Sequence, residues 1–174
     1  SDLELKIRVL FEGVNMMSDK TPWNYALKWI GYTIPLAALL GFVGGIFLMP
    51  RMLKRLNPLW VTLAFFAAIF PVFYVIYKHS VIHDGWRHLT FAYPAMAVAA
   101  GLFWNELSNF FSEKRYARWA VYGVLALTLA DAGAFIAANP KMPYVYFNPI
   151  VGGTAGAYGE YETDYWGVSV RQGI

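Results

Sequence analysis

The stretch PLWVTLAFFAAIFPVFYVIY, residues 58–77, decides the fold. It runs for about twenty residues without a charge, enough to cross a ~30 Å hydrocarbon core at 1.5 Å per helical residue. Its one proline, Pro71, marks an expected kink, because proline removes a backbone donor. Three more apolar runs flank it, at residues 29–49, 89–104 and 119–138. The third of the four, 89–104, is short for a span and can be extended at either end.

Composition supports the same class. The chain is 58% hydrophobic and 14% charged, with a mean hydropathy of +0.41. A water-soluble domain carries roughly 25% charged residues, so the polar surface that a soluble globule needs is missing. The seven Trp and twelve Tyr suit a protein anchored at two membrane–water interfaces. The net charge of +3 is too modest and too scattered to argue for nucleic acid, and none is expected as a partner. With no Cys, disulfides and thiolate metal sites are excluded too. The expected architecture is therefore an all-α integral membrane protein in three regions. Residues 1–28 form an outward interfacial segment, with a short helix broken near Gly13 and closed by Thr21-Pro22. Residues 29–138 form four transmembrane helices, and residues 139–174 an irregular outward tail rich in aromatics and glycine.

Helix association and orientation are legible in the small and the basic residues. Gly41 and Gly45, with Gly44 beside them, allow a close helix approach in lipid. Pro50 and the cluster Arg51, Lys54 and Arg55 are expected to end the first span. Lys114, Arg115 and Arg118 follow the third span, so two crossings separate the basic loops and both lie on one side. Basic short loops stay in the cytoplasm. Both termini and the loop 78–88 then face outward.

That loop, KHSVIHDGWRH, holds all three histidines of the chain. His79 and His83, four apart, with Asp84 and His88, have the residue types of a metal site. Arg87 and His88 suit a phosphate instead, through charge-assisted hydrogen bonds. Trp86, Arg87 and His88 also suit simple interfacial anchoring, with Arg87 snorkelling. The residues alone leave these readings open, and no metal site is assigned. Asp131 stands inside the fourth span, where a carboxylate costs ~2.5–3.5 kcal/mol and needs a partner or water. In the tail, Glu160, Glu162 and Asp164 alternate beside Tyr165 and Trp166. Their oxygens suit a divalent cation or sugar hydroxyls, and equally a solvated acidic edge.

Three elements occur in an order that is similar to one family. They are Thr21-Pro22-Trp23-Asn24-Tyr25; His83-Asp84-Gly85-Trp86-Arg87-His88, followed by Tyr93-Pro94; and Tyr144-Val145-Tyr146-Phe147-Asn148, followed by Gly152-Gly153 and Glu162-Thr163-Asp164-Tyr165-Trp166-Gly167. Together they resemble the C-terminal membrane portion of bacterial membrane glycosyltransferases related to the dolichyl-phosphate-mannose–protein mannosyltransferases, in the C-type superfamily. The resemblance covers nearly the whole chain. It implies transfer of a sugar from a polyprenyl-phosphate carrier to an acceptor at the periplasmic face of the bacterial inner membrane. It also implies Arg87 and His88 on the donor phosphate, and acceptor or sugar contacts from Glu160, Glu162, Asp164, Tyr165 and Trp166. The family's acidic catalytic motif lies in an earlier outward loop with no counterpart here, so this chain resembles an internal or C-terminal piece and no catalytic base is named. The competing expectation is a non-catalytic transmembrane subunit that packs against other subunits of a larger membrane assembly.

Overall fold

The computed structural model describes residues 6–164. The first element departs from expectation: a β-hairpin stands where a short interfacial helix was expected. Strand β1 (Arg8–Phe11) pairs antiparallel with β2 (Val14–Met17), in the register Arg8↔Met17 to Phe11↔Val14. The cause is a period of two. Val9 and Phe11 are buried while Arg8 and Glu12 are exposed, which is the alternation of a half-buried strand rather than a helical stripe. Glu12 and Gly13 both take positive φ, 53° and 71°, as the tightest hairpin turns require.

Helix α1 (Tyr25–Thr33) follows and stops because Pro35 forces Ile34 out of the helical region, to φ −89° and ψ 149°. The expected first span, 29–49, is thus divided. Helix α2 (Leu36–Arg55) starts after the break, runs through Pro50 and ends only after its basic cluster. Pro50 is exposed, so the ring and the lost backbone bond disturb no packed neighbour. Helix α3 (Pro58–Tyr77) carries Pro71 within it. The third apolar run is a 3₁₀ stretch, Arg87–Ala92, leading into α4 (Tyr93–Phe110), which has Pro94 in its first turn. Helix α5 (Arg115–Ala138) is the longest, and the tail adds two 3₁₀ turns and the short α6 (Gly153–Ala157). The described part of the tail, 139–164, therefore carries regular turns where an irregular segment was expected. Helices α2, α3 and α5 are long and apolar enough to cross a membrane. Helix α4, with Asn105, Glu106 and Asn109 near its end, is not among them.

The chain divides into two compact units. One comprises the described parts of residues 1–34, 72–88 and 134–174; the other comprises 35–71 and 89–133. In the second unit α2 packs on α4 through its glycines. A Cβ at Gly41 would lie 2.7 Å from the Cβ of Ala100 and from Trp104 Nε1, and one at Gly44 2.4 Å from Phe103. Gly45 faces Phe65 and the Ala99 carbonyl. Met52, Val61, Phe65 and Ala99 form a core around these contacts. Trp104 Nε1 donates to the Ala37 carbonyl at 2.9 Å, so its buried N–H is satisfied.

A buried acid completes that unit. Glu106 is 2% exposed, and its carboxylate meets Arg51 Nε at 3.3 Å and Arg55 Nη1 at 3.5 Å. The basic cluster read for topology therefore also neutralises a carboxylate on α4. Without those cations Glu106 would be an uncompensated charge in an apolar setting.

Candidate functional site

The first unit contains residues 21–25, the loop 83–88 and the described part of the tail, 144–164. The loop is built on Asp84-Gly85, where both residues take positive φ, 54° and 72°. Glycine suits the second position doubly, since a Cβ there would come 3.1 Å from the Trp29 ring. The Gly85 N–H donates to Tyr25 Oη at 3.2 Å. One residue on, Trp86 Nε1 donates to Thr33 Oγ1 at 2.8 Å, and that hydroxyl donates to the Trp29 carbonyl at 2.7 Å. Helix α1 thus holds the loop at both of its ends.

The tail docks on the same helix. Asn148 is fully buried; its Nδ2 donates to the carbonyls of Gly31 (2.7 Å) and Ile34 (3.0 Å). Its backbone N–H donates to the Tyr32 carbonyl at 2.7 Å. These are the carbonyls that a helix end leaves orphaned, so a residue more than a hundred positions away caps α1. Trp29 packs against Phe147 and Tyr161, with centroids 5.6 and 5.7 Å away, and Phe11 of the hairpin meets Tyr161 at 5.7 Å.

On this frame sits a charged cluster. Arg87 Nη2 lies 3.0 Å from Asp84 Oδ2 and 3.2 Å from His83 Nε2. Because Arg87 only donates, His83 Nε2 accepts, and the neutral ring carries its proton on Nδ1. That Nδ1 is buried without a hydrogen-bond partner among the described residues. The His83 and His88 rings meet edge to face at 4.8 Å. Loss of solvent is the main cause that holds His88 below the usual histidine range, and the positive charge of Arg87 adds to it. It is therefore a neutral hydrogen-bonding group near pH 7, and the cation of the cluster is Arg87.

The three tail acids separate. Glu160 is exposed beside Gly13, whose N–H its backbone carbonyl accepts at 3.1 Å. Asp164 Oδ1 accepts from the Tyr144 hydroxyl at 2.5 Å. Glu162 turns inward and accepts the Leu10 N–H, while its Oε2 is buried with no partner among the described residues. Burial raises its pKa, and the negative charge of Asp84 adds to the rise. Burial likewise raises the Tyr25 phenol far above its ordinary range, against the Gly85 hydrogen bond, so Tyr25 stays protonated. Among the described residues no group of three or more His, Asp or Glu is disposed to hold a metal ion. Tyr165 and Trp166 lie outside the described residues. Asp131 is on an exposed face of α5 in the other unit.

The loop candidates His83, Asp84, Trp86, Arg87 and His88 and the tail candidates Glu160, Glu162 and Asp164 all lie in the first unit. Sequence reasoning passed over Asn148 and Glu106 as anchors. A lone Asn before Pro149 reads only as a turn residue, and Glu106 falls just beyond the apolar run 89–104.

The fold and site define a mainly helical protein with three helices suited to crossing a bilayer and a polar cluster framed by aromatic residues. No family model, curated protein or solved structure matches this chain.

Proposed function

We propose that this chain is the membrane portion of a glycosyltransferase that binds a polyprenyl-phosphate-linked sugar at the periplasmic face of the bacterial inner membrane, with α4 serving as a fourth span. The observation that carries this reading is the convergence of the Trp23–Tyr25 entry, the Asp84–His88 loop and the Asn148–Asp164 tail on one short helix. Buried polar atoms without partners, at His83 and Glu162, also favour a binding role over a purely structural one.

In this reading Arg87 meets the donor phosphate. Asp84 and His83 hold the guanidinium in place, and His88 donates to a phosphate oxygen as a neutral ring. Glu162, inward and short of water, faces sugar hydroxyls. No residue of this chain takes the role of carboxylate base in the scheme. Orientation follows from Arg51, Lys54, Arg55, Lys114, Arg115 and Arg118 on the cytoplasmic side.

The test is donor-lipid binding in proteoliposomes with a radiolabelled polyprenyl-phosphate sugar. Arg87→Ala is expected to weaken binding roughly ten-fold or more, the scale of a hydrogen bond to a charged group. Arg87→Ala with undiminished binding would remove the central residue from the scheme.

A second reading, a non-catalytic subunit in a larger membrane assembly, has its own support in α5. Only Val121 and Ala132 are buried along that 24-residue helix, and a Cβ at Gly123 or Gly133 would meet nothing within 4 Å. Such a surface suits another helix. Co-purification of a stoichiometric membrane partner, lost on Gly123→Leu, together with no donor binding, would favour it.

A further inference from the structure

In the second unit a cleft of about 470 Å³ opens between α2, α4 and α5. That is within the ~300–1,000 Å³ of ordinary small-molecule sites. Its shape is given by the α4 residues that line it: Tyr93, Ala97, Gly101, Trp104 and Ser108. These recur at three- and four-residue intervals along one helix face, so the cleft extends about 22 Å at 1.5 Å per residue. Ala37 and Ala38 of α2 form the facing wall, and Leu125 and Leu129 of α5 flank it. A long, open, mostly apolar cleft along a helix suits a flexible hydrocarbon chain better than a compact ligand.

The walls offer a chain little polar competition. The Trp104 N–H is used by the Ala37 carbonyl, and the Ser108 hydroxyl donates to the Asn105 carbonyl at 2.9 Å. One end differs. There Asn105, Ser108 and Tyr122 line the cleft, and the Tyr122 hydroxyl accepts from Arg118 Nε at 3.1 Å. Arg118 is exposed and lies over the Tyr122 ring, 5.7 Å from its centroid. Lys114 and Arg115 precede it, with Glu113 as the one acid of that run. A hydrocarbon channel with a guanidinium at its mouth complements an anionic amphiphile.

We infer that this cleft is a binding site for an anionic phospholipid, with one acyl chain along the α4 face and the headgroup phosphate on Arg118. Nothing in this assignment depends on sugar transfer, and a chain without transferase activity would hold the lipid equally. Arginine binds the phosphate that every phospholipid carries; the preference for an anionic headgroup comes from net charge, because a choline cation would stand against Arg118 and its neighbours Lys114 and Arg115. The acyl chain supplies affinity by burying apolar surface on Ala97, Gly101 and Leu125.

The experiment supplies the purified chain with equal amounts of dioleoyl phosphatidylglycerol and dioleoyl phosphatidylcholine. Retained lipid is then counted by native mass spectrometry. Phosphatidylglycerol should exceed phosphatidylcholine roughly five-fold, the scale of about 1 kcal/mol for one basic residue beside an anionic headgroup. Arg118→Gln should bring the ratio near one while both lipids remain bound. Gly101→Leu should lose both, because it fills the channel; a Cβ at Gly101 meets nothing within 4 Å, so the change is tolerated by the fold. Ala97→Leu, also on the cleft wall, repeats the blockade independently. Equal retention of the two lipids by the unaltered protein would overturn the headgroup assignment. Unchanged phosphatidylglycerol in both blocking variants would overturn the cleft. Retention of neither lipid would overturn the proposal and leave a protein helix as the occupant.

Discussion

Replacing Asn148 by Ala tests whether the tail is fastened to α1 or merely rests on it. The amide makes two donated bonds, to the Gly31 and Ile34 carbonyls, and its Oδ1 accepts from the Ile150 N–H at 3.1 Å. Ile34 is buried, so its carbonyl loses its partner without gaining water. An unsatisfied buried acceptor costs about 1–3 kcal/mol. Gly31 is only partly buried and contributes less, and Ile150 is exposed and rehydrates. The sum for Asn148→Ala is about 3 kcal/mol, in the range where single changes are diagnostic of a named mechanism. Asn148→Asp sharpens the argument. At neutral pH a carboxylate would accept where donors are required and would face two carbonyl oxygens, so it should destabilise more than alanine. Acidification should recover part of the loss, because a protonated carboxyl donates one bond. Denaturant unfolding in detergent micelles, followed by tryptophan fluorescence, suits the question because Trp29 packs against Phe147 beside the capped turn. A loss below about 0.5 kcal/mol, the ordinary effect of a surface change, would refute the capping argument. So would an aspartate variant more stable than the alanine variant at neutral pH.

Other outcomes follow from the same contacts. Gly41→Val places a branched side chain 2.7 Å from Ala100 and Trp104 and should cost about 1–3 kcal/mol by overpacking, read by thermal unfolding in micelles. Gly101→Val should be mild by comparison, since nothing lies within 4 Å of its Cβ. Removing both Arg51 and Arg55 leaves Glu106 buried and uncompensated. That loss should approach about 3–5 kcal/mol, and Glu106→Gln in the same background should restore much of it. Glu162 governs a pH dependence: its folded pKa is raised, so between 4.5 and that raised value the native state binds more protons than the unfolded one. Stability therefore falls as pH rises through that window. Glu162→Gln should flatten the slope, and an unchanged slope in unfolding measured from pH 4 to 8 would contradict the burial argument.

The membrane class and the bodies of α2, α3 and α5 were legible in the sequence, because an uncharged run of span length reports directly on its solvent. The close approach at Gly41 and Gly45 was legible for a similar reason: small residues at helical spacing create a groove wherever that helix is placed. The hairpin was also written locally, in the alternation of Ile7, Val9 and Phe11, and the apolar density of the segment masked it. The break at Ile34 needed only Pro35, although the surrounding apolar run hid it as well.

What the tertiary structure decided is which of these local pieces meet. Tyr25 and Gly85 are 60 residues apart, and Asn148 stands 117 residues from the Gly31 carbonyl it satisfies. Glu106 meets Arg51 across 55 residues. Periodicity reports the environment of one face of one segment, whereas the identity of a hydrogen-bond partner depends on how whole helices pack. The same side chains give three separate readings for residues 78–88 as a string. Folded, Asp84 and His83 orient Arg87, burial denies His88 its charge, and the tail acids disperse to different partners, because desolvation and pairing act over a few ångströms of space rather than along the chain.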